Sequence, residues 1–395
     1  MIIVNYIILG YFIVLAVAGF LTEYATTKSH RLKKMGRASR IPRIILYVIL
    51  ATIPGIGAFI PDSGFKYFCM AAGNLWLGFF LYYFFIFVIL LIPALIISRV
   101  KGDKEKRAVR HAFFGAVILT VAVNAYGLIH AQQTRVYTYQ VPQIEKEQKA
   151  KTYGKLKIVL IADLHLSVNS LLSTTEKMVD KVNACQPDLI LVAGDIFTSN
   201  YGGLSHPEEY AGALSRLEAP YGVYAVCGNH DVEENLFGGF SVSPVRKAFR
   251  TPEMEQFFED AGFHMLYDES LYLEEENITI IGRIDGEKAG DGTRNRKSAE
   301  EVLKGADPDS LILVLEHEPE EYEELSRNGA DLVLSGHTHN GQMFPGNIVV
   351  GMLSPNAQGM KEIAGMTTIV TGGVGYYGPP MRVLTDSEIS VIELE

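Results

Sequence analysis

A stretch of 32 residues without a charged side chain, from Tyr67 to Ser98, is the feature that most restricts how this chain can fold. About 20 apolar residues in a helix are enough to cross a hydrocarbon core of ~30 Å. The chain of 395 residues is also 48% hydrophobic, with a mean hydropathy of +0.15, which we interpret as too apolar for soluble domains alone. The sequence therefore predicts that part of this chain lies in lipid.

Charge divides the chain at about residue 135. Residues 1–135 carry 15 Lys and Arg but only 4 Asp and Glu, whereas residues 136–395 carry 20 basic and 41 acidic residues. This asymmetry indicates a membrane part followed by a soluble part. A soluble part this acidic would repel nucleic acid, so we expect no nucleic-acid partner. The three cysteines, Cys69, Cys185 and Cys227, form neither a disulfide framework nor a zinc ribbon.

Residues 1–131 are predicted to form an all-helical transmembrane region of about four helices. The candidate spans are residues 2–21, 44–60, 67–98 and 112–129. The second span is the weakest because Pro54, Gly55 and Gly57 interrupt it, although neighbouring helices can re-satisfy such a backbone. A signal peptide is the alternative for the first span. Further apolar runs follow it, however, where a cleavage site and a mature domain would be expected.

The basic residues between the spans predict the orientation, because Lys and Arg accumulate on the cytoplasmic side of a membrane. With four spans, the first and third loops lie inside, and everything after residue 130 lies outside the cytoplasm of a multi-pass cell-membrane protein. This orientation inverts if the second span is not real. The basic residues of the two loops are Lys28, Arg31, Lys33, Lys34, Arg37, Arg40 and Arg43, and Arg99, Lys101, Lys104, Lys106, Arg107 and Arg110.

Residues 132–155 are polar and predict a linker or an edge strand. From residue 156 to residue 395 the pattern changes to short apolar runs separated by helical windows, including a predicted strand over residues 348–350. Early runs alternate with helices, and later runs follow one another closely. This pattern predicts an α/β domain with more than one sheet.

Five apolar runs of this domain are followed by Asp, His or Asn. Open α/β sheets bind their ligands at the carboxyl ends of their strands, so these side chains are expected to meet. A single histidine at a strand end is more commonly a structural side chain, but here five of the seven histidines after residue 135 occupy such positions. The residues are Asp163 and His165, then Asp195, then Asn229, His230 and Asp231, then His317, and finally His337 and His339.

Carboxylate, imidazole and amide donors without a thiolate suit Mn²⁺, Fe²⁺/³⁺, Zn²⁺ or Mg²⁺. The set contains enough ligands for two ions, with one carboxylate bridging them. Two metal ions about 4 Å apart can hold a phosphoryl group and lower the pKa of an attacking water. The residues alone therefore predict a binuclear centre for phosphoester hydrolysis.

These motifs, in this order, resemble the calcineurin-like metallophosphoesterase superfamily. Gly336-His-Thr-His-Asn-Gly-Gln342 resembles its membrane-anchored bacterial phosphodiesterase branch. The resemblance covers residues 156 to about 393 and implies two packed β-sheets flanked by helices. It implies one metal ion held by Asp163, His165, Asp195 and His339. It also implies a second metal ion, which shares Asp195 as a bridging ligand and is bound in addition by Asn229, His317 and His337.

The resemblance also implies roles for two residues that do not bind metal. His230 would donate a hydrogen bond or a proton to the developing charge or to the leaving oxygen, and Asp231 could fix the tautomer of that imidazole. Apart from the resemblance, Arg382, Tyr376 and Tyr377 lie in a turn-rich segment. Arg382 could contact substrate. The two tyrosines could stack on a base or a sugar, although a packed pair within the loop is the more common arrangement.

The sequence thus predicts a membrane-tethered phosphoesterase, in the first instance a phosphodiesterase with two ions, with Mn²⁺ as the first choice. Its position at a membrane suggests a lipid-linked or envelope-derived phosphoester. One alternative is a pyrophosphatase acting on a UDP-linked acyl sugar, but that substrate is made in the cytoplasm. Another is a receptor or scaffold without catalysis, which would tolerate the loss of ligands. The sequence leaves the oligomeric state open.

Overall fold

A computed structural model describes residues 13–17, 19–20, 36–56, 60–102, 107–142, 145–146, 149–150, 155–237, 240–241 and 243–394. The chain forms two compact units. The helical unit takes residues up to Ile129 together with two short later segments, Asn235–Val242 and Gly378–Met381. The second unit is named the catalytic unit after the metal-centre residues that the sequence predicts in it, and it contains His130–Glu234, Ser243–Tyr377 and Arg382–Glu395.

Three long helices dominate the described part of the helical unit: α1 (Gly36–Ile56), α2 (Gly64–Val100) and α3 (Arg107–His130). By length and composition, α2 and α3 can each cross a membrane, and they contain the predicted spans 67–98 and 112–129. The predicted span 44–60 corresponds to a shorter apolar stretch of α1, Ile44–Gly55. Most of the predicted span 2–21 lies outside the described residues.

Small residues let these helices approach closely, as is common where helices pack in lipid. A Cβ atom at Gly73 of α2 would lie 2.8 Å from the Cα atom of Pro54 in α1, so only glycine fits there. Ala112 and Ala116 of α3 lie in one buried cluster with Phe87 and Leu91 of α2.

The catalytic unit contains two six-stranded sheets. The first has the order β1-β12-β2-β3-β4-β5, and its strands are β1 (Thr134–Val141), β2 (Leu156–Ile161), β3 (Leu189–Ala193), β4 (Val223–Val226), β5 (His264–Met265) and β12 (Ser387–Leu394). The second has the order β6-β7-β8-β9-β11-β10, and its strands are β6 (Glu269–Leu273), β7 (Ile278–Gly282), β8 (Leu311–Leu315), β9 (Leu332–Ser335), β10 (Gly359–Ile363) and β11 (Met366–Val370). Residues 134–141, predicted as linker or edge strand, thus form the edge strand β1.

Both sheets are mixed. Strands β2 to β5 are parallel to one another, as are β7, β8, β9 and β11, while β12 against β2, β6 against β7 and β10 against β11 are antiparallel. The two sheets pack face to face through a buried aliphatic layer that includes Leu160, Leu191, Leu313 and Leu334. Their inner strands are therefore buried on both faces, which explains their continuous apolar runs.

Helices cover the outer faces of the two sheets. In this unit the described helices are α4 (Leu172–Ala184), α5 (Pro207–Leu214), α6 (Pro252–Asp260), α7 (Ala299–Leu303), α8 (Tyr322–Arg327) and α9 (Gly346–Leu353). Met178 of α4 and Phe257 of α6 pack on the first sheet, and Leu325 of α8 packs on the second. The predicted architecture of two packed sheets flanked by helices is confirmed.

One predicted element is wrong. Residues 348–350 are helical within α9, although Ile-Val-Val is a strand-like sequence. Pro345 directly precedes this helix, and proline disfavours an inner strand because it cannot donate a hydrogen bond to a neighbouring strand. The segment also leaves its apolar side chains exposed, so burial in a sheet does not decide its conformation.

Candidate metal centre

The loops at the carboxyl ends of five inner strands carry the predicted site. Asp163 and His165 follow β2, and Asp195 follows β3. Asn229 and His230 follow β4 in the same sheet. From the second sheet, His317 follows β8, and His337 and His339 follow β9. Because the sheets pack face to face, these loops meet at one end of the catalytic unit.

Several predicted ligands have a left-handed backbone conformation, which residues other than glycine rarely adopt. Left-handed φ values are uncommon for residues other than glycine, and clusters of them occur at functional sites. The φ angles are 55° at Asp163, 47° at His165, 52° at Asp195, 71° at His337 and 49° at His339. The fold therefore holds five of the predicted ligands in strained positions.

Two glycines permit the close packing of these loops. A Cβ atom at Gly194, where φ is +77°, would lie 2.6 Å from the amide nitrogen of Gly228 and 2.9 Å from Nδ1 of His317. A Cβ atom at Gly228 would lie 2.6 Å from the amide nitrogen of Asp195. The loops after β3, β4 and β8 can meet only because neither position carries a side chain.

Asp163, His165 and His339 form the first group of donors that can hold a metal ion. Nε2 of His165 lies 2.9 Å from Nε2 of His339, which in turn lies 3.4 Å from Oδ1 of Asp163. All three side chains are buried. Two imidazole nitrogens and a carboxylate oxygen that converge in this way are a ligand set for a divalent cation.

Asp163, Asp195 and His317 form the second group. Nε2 of His317 lies 3.1 Å from Oδ2 of Asp195, and the same carboxylate oxygen lies 3.5 Å from Nε2 of His165. Nδ1 of His337 lies 3.2 Å from Nε2 of His317. Asp195 thus faces donors of both groups, as a bridging carboxylate must.

Asn229 provides a test of whether these residues fit a second ion. Its amide nitrogen donates to Oε2 of Glu287 at 3.1 Å, but its Oδ1 is buried and accepts no hydrogen bond within the described part of the chain. A buried amide oxygen without a partner is costly unless a cation or water satisfies it. The unpaired oxygen therefore fits the predicted metal ligand.

The outer atoms of several ligands are fixed by hydrogen bonds. Nδ1 of His317 donates to the carbonyl oxygen of Ala193 at 2.8 Å, and Nδ1 of His165 lies 3.1 Å from Oγ1 of Thr198. These contacts leave Nε2 of both rings directed to the centre of the site. Partners of this kind orient metal ligands and increase their basicity. Thr198 was not found from the sequence, because it belongs to no motif.

Burial and charge together set the protonation of these groups. Burial lowers the pKa of the His165 imidazole to about 4, so that this ring is neutral at pH 7, and raises the pKa of Asp163 to about 7. Burial also opposes charge on Asp195 and His317, yet their mutual attraction holds the pKa of Asp195 well below its usual range and that of His317 well above it. A divalent cation would replace the His317 proton beside Asp195.

His230 lies beside these ligands without joining either group of donors. Its backbone amide donates to Oδ1 of Asp195 at 2.8 Å. Nδ1 of its ring lies 2.8 Å from Oγ of Ser199, and the ring lies against Tyr377, with 4.5 Å between ring centroids. These contacts fix the ring and leave Nε2 as the nitrogen available for proton transfer. Sequence reasoning missed Ser199 because one serine in a loop carries no signal.

Asp231 does not have the predicted position. Its two carboxylate oxygens accept hydrogen bonds from the backbone amides of Phe197 and Gly228, both at 2.8 Å, and its side chain is fully buried. Burial raises its pKa to about 7, although both amides oppose this shift. Asp231 therefore joins the loops after β3 and β4, and Ser199 takes the contact with His230 that the sequence assigned to Asp231.

Asp231→Ala should therefore lower stability. Two buried amides would lose their acceptor, at a cost of about 3 kcal/mol in unfolding free energy. Thermal unfolding of the metal-free chain would show a lower Tm than that of the parent protein. Asp180→Ala is the control, since that carboxylate is 69% exposed, and it should leave Tm unchanged. An unchanged Tm for Asp231→Ala would contradict the bridging role.

Arg382 is also placed differently from the sequence hypothesis. Its guanidinium group is fully buried and donates to the carbonyl oxygens of Gly372, Gly375 and Asp386 at 2.7 to 2.8 Å. It also lies 3.4 Å from Nδ1 of His339. Arg382 thus secures the loop around His339, and a contact with substrate is excluded by its burial.

Tyr377 packs within its loop, and it also contacts the ring of His230. The backbone amide of Tyr377 donates to Oε1 of Gln342 at 2.7 Å, and Nε2 of Gln342 donates back to the carbonyl oxygen of Tyr377 at 2.9 Å. This pair joins the loop after β9 to the segment after β11.

Comparisons with known proteins agree with this geometry. Residues 156–341 match the calcineurin-like phosphoesterase family. The chain is 29% identical over 297 residues to "Transmembrane protein with metallophosphoesterase domain" of Danio rerio, covering 71% of this chain and 62% of that protein. For the Bos taurus protein of the same name the identity is 28% over 310 residues, covering 74% of this chain and 64% of that protein.

The chain thus spans less than two thirds of the length of these two vertebrate relatives. It is also 30% identical over 255 residues to an "Uncharacterized metallophosphoesterase" of Bacillus subtilis, covering 62% of this chain and 80% of that protein. Family match, fold and donor groups agree with the resemblance seen in the motifs. The chain belongs to the calcineurin-like phosphoesterase family.

Proposed function

We propose that this chain is a membrane-tethered, metal-dependent phosphodiesterase. The observation that carries the proposal is the convergence of two donor groups that share Asp163, with Asp195 facing both. Two divalent ions in such a site lower the pKa of an attacking water and neutralise charge on a phosphoryl group. The first would be held by Asp163, His165, Asp195 and His339. The second would be held by Asp195, Asn229, His317 and His337.

His230 would serve the leaving oxygen. Its ring is held by Ser199 and Tyr377, so its Nε2 is the atom that would hold the proton for the departing alcohol. For the metal we propose Mn²⁺, with Fe, Zn or Mg as alternatives, because the donors are carboxylate, imidazole and amide.

Two observations support a membrane location. The helices α2 and α3 are long and apolar enough to cross a bilayer, and the vertebrate relatives carry the word transmembrane in their names. Beyond membrane association, we propose a multi-pass anchor with the catalytic unit on the extracytoplasmic side. The basic loops on either side of the second and third predicted spans support this orientation. The substrate would then be a phosphoester of a lipid or of an envelope precursor.

Metal removal and reloading test the proposal. The full chain in lipid nanodiscs would be stripped with a chelator and reloaded with Mn²⁺, and the bound metal would be counted. We expect about two ions per chain and hydrolysis of bis(p-nitrophenyl) phosphate that depends on them. Hydrolysis of p-nitrophenyl phosphate, a monoester, should be slower. Loading without turnover of either ester would contradict the esterase, and failure to load metal would contradict the site.

A further inference from the structure

The short helix α9 has an unusual surface. It follows the loop of His339, contains no charged residue and buries none of its side chains. The domain around it is strongly acidic, and exposed apolar patches on such a surface mark sites of interaction. The exposed fractions of its four largest apolar side chains are 52% for Ile348, 51% for Val349, 81% for Met352 and 80% for Leu353.

The backbone of α9 is held firmly at its start. The amide of Phe344 donates to the carbonyl oxygen of Val383 at 2.9 Å, and the amide of Gly346 donates to the carbonyl oxygen of Met343 at 2.6 Å. The backbone of Gly346 also packs directly on that of Gly341, where no Cβ atom would fit. The apolar face is therefore a fixed surface of the catalytic unit.

A cavity of about 460 Å³ lies between α9 and the metal centre. Val350 and Leu353 line one side of it, and His337 and Glu318 line the other. Among the residues that line the cavity, His337 is a predicted ligand, and its side chain is 39% exposed, so the cavity reaches the edge of the metal centre. A molecule in this cavity would meet a phosphate-binding end and an apolar wall.

We propose that α9 forms the wall against which the acyl chain of a lipid phosphoester lies while its phosphate is held at the metal centre. This substrate class rests on the proposed hydrolase function. An amphiphile fits both ends of the cavity, and a chain with two membrane-length helices is held where lipids are abundant.

A series of alkyl p-nitrophenyl phosphates tests this proposal. The full Mn²⁺-loaded chain in nanodiscs would hydrolyse the methyl, butyl and octyl diesters, and kcat/KM would be compared. Each methylene that becomes half buried on an apolar surface should raise kcat/KM about twofold. The octyl ester has seven more methylenes than the methyl ester, so its kcat/KM should be about 100-fold higher. In the double variant Met352→Gln and Leu353→Gln, this ratio should fall below about tenfold.

Met360→Gln is the matched control, because Met360 is also an exposed methionine, at 42%, but lies on the edge strand β10. The Met360→Gln variant should keep the parental ratio of octyl to methyl kcat/KM. Because every variant is measured in the same nanodiscs, partitioning of the esters into lipid affects all ratios equally. An equal ratio in the double variant and the parent would overturn the proposal. A ratio near one in an active parent would overturn it too.

A labelling experiment separates this proposal from the proposed function. An octyl phosphate with a diazirine at the end of its chain would be photolysed with the Mn²⁺-loaded protein in nanodiscs, and the labelled peptides would be mapped. Label within residues 344–354 that falls at least about fivefold in the double variant supports the acyl-chain wall, whether or not any ester is hydrolysed. Label in that peptide that is equal in parent and double variant overturns it. Absence of all diester turnover counts against the proposed function alone.

Discussion

The Asp195→Asn variant should lose at least about a thousandfold in kcat for diester hydrolysis, equivalent to about 4 kcal/mol of transition-state stabilisation. Oδ2 of Asp195 lies 3.5 Å from Nε2 of His165 and 3.1 Å from Nε2 of His317, so the two donor groups meet at this carboxylate. An amide in its place has no charge to hold two cations. Metal analysis of the same sample should show about one ion per chain where the parent holds about two.

Asp180→Asn is the control for this measurement. It replaces a carboxylate that is 69% exposed and lies on the outer helix α4, outside both donor groups. It should keep parental turnover and metal content. If Asp195→Asn bound two ions and turned over at the parental rate, Asp195 could not bridge the metals. Titration with Mn²⁺ distinguishes weakened affinity from a lost site, since weakened affinity is restored by excess metal.

The His230→Ala variant should lose about 10²- to 10⁴-fold in kcat, and the loss should depend on the leaving group. An alcohol with a high pKa needs a proton as it departs, whereas p-nitrophenolate leaves without one. The loss should therefore be large for dialkyl phosphates and small for bis(p-nitrophenyl) phosphate. Metal content should stay at about two ions, because His230 belongs to neither donor group.

Ser199→Ala gives a graded companion to this variant. Oγ of Ser199 lies 2.8 Å from Nδ1 of His230, so its removal should free the ring and produce a smaller loss with the same dependence on the leaving group. Equal losses of the His230→Ala variant on both classes of ester would show that His230 stabilises charge without transferring a proton. Parental kcat on both would exclude His230 from the reaction.

The inner strands explain why the sequence indicates so much of this site. Strands β3 and β8 are buried along their whole length and are entirely apolar, and β2 and β9 depart from this pattern only at Lys157 and at the terminal Ser335. The polar residues that follow such runs stand out, and parallel strands end at one edge of a sheet. The edge strands β6 and β10 are mostly exposed, and they lack a clear apolar run that could have predicted them.

Contacts that depend on loop conformation could not be predicted in this way. Asp231 follows His230 directly in sequence, yet its carboxylate points to the amides of Phe197 and Gly228. Arg382 follows a segment rich in glycine and proline, yet its side chain is fully buried and donates hydrogen bonds to the carbonyl oxygens of Gly372 and Gly375. The contacts of Asp231 and Arg382 depend on the backbone conformation and packing of the surrounding loops, which no residue pattern specifies. The roles assigned to the metal ligands themselves stay predictions.

The path of the chain through its two units limits how the protein can be divided into fragments. Leu236–Phe237 contacts α1, and Met381 approaches Gly78 of α2, so two late segments complete the helical unit. Each unit contains residues from before and after residue 150, so a cut near that residue would leave both units incomplete. A shortened gene that starts after α3 would express these segments without the helices against which they pack.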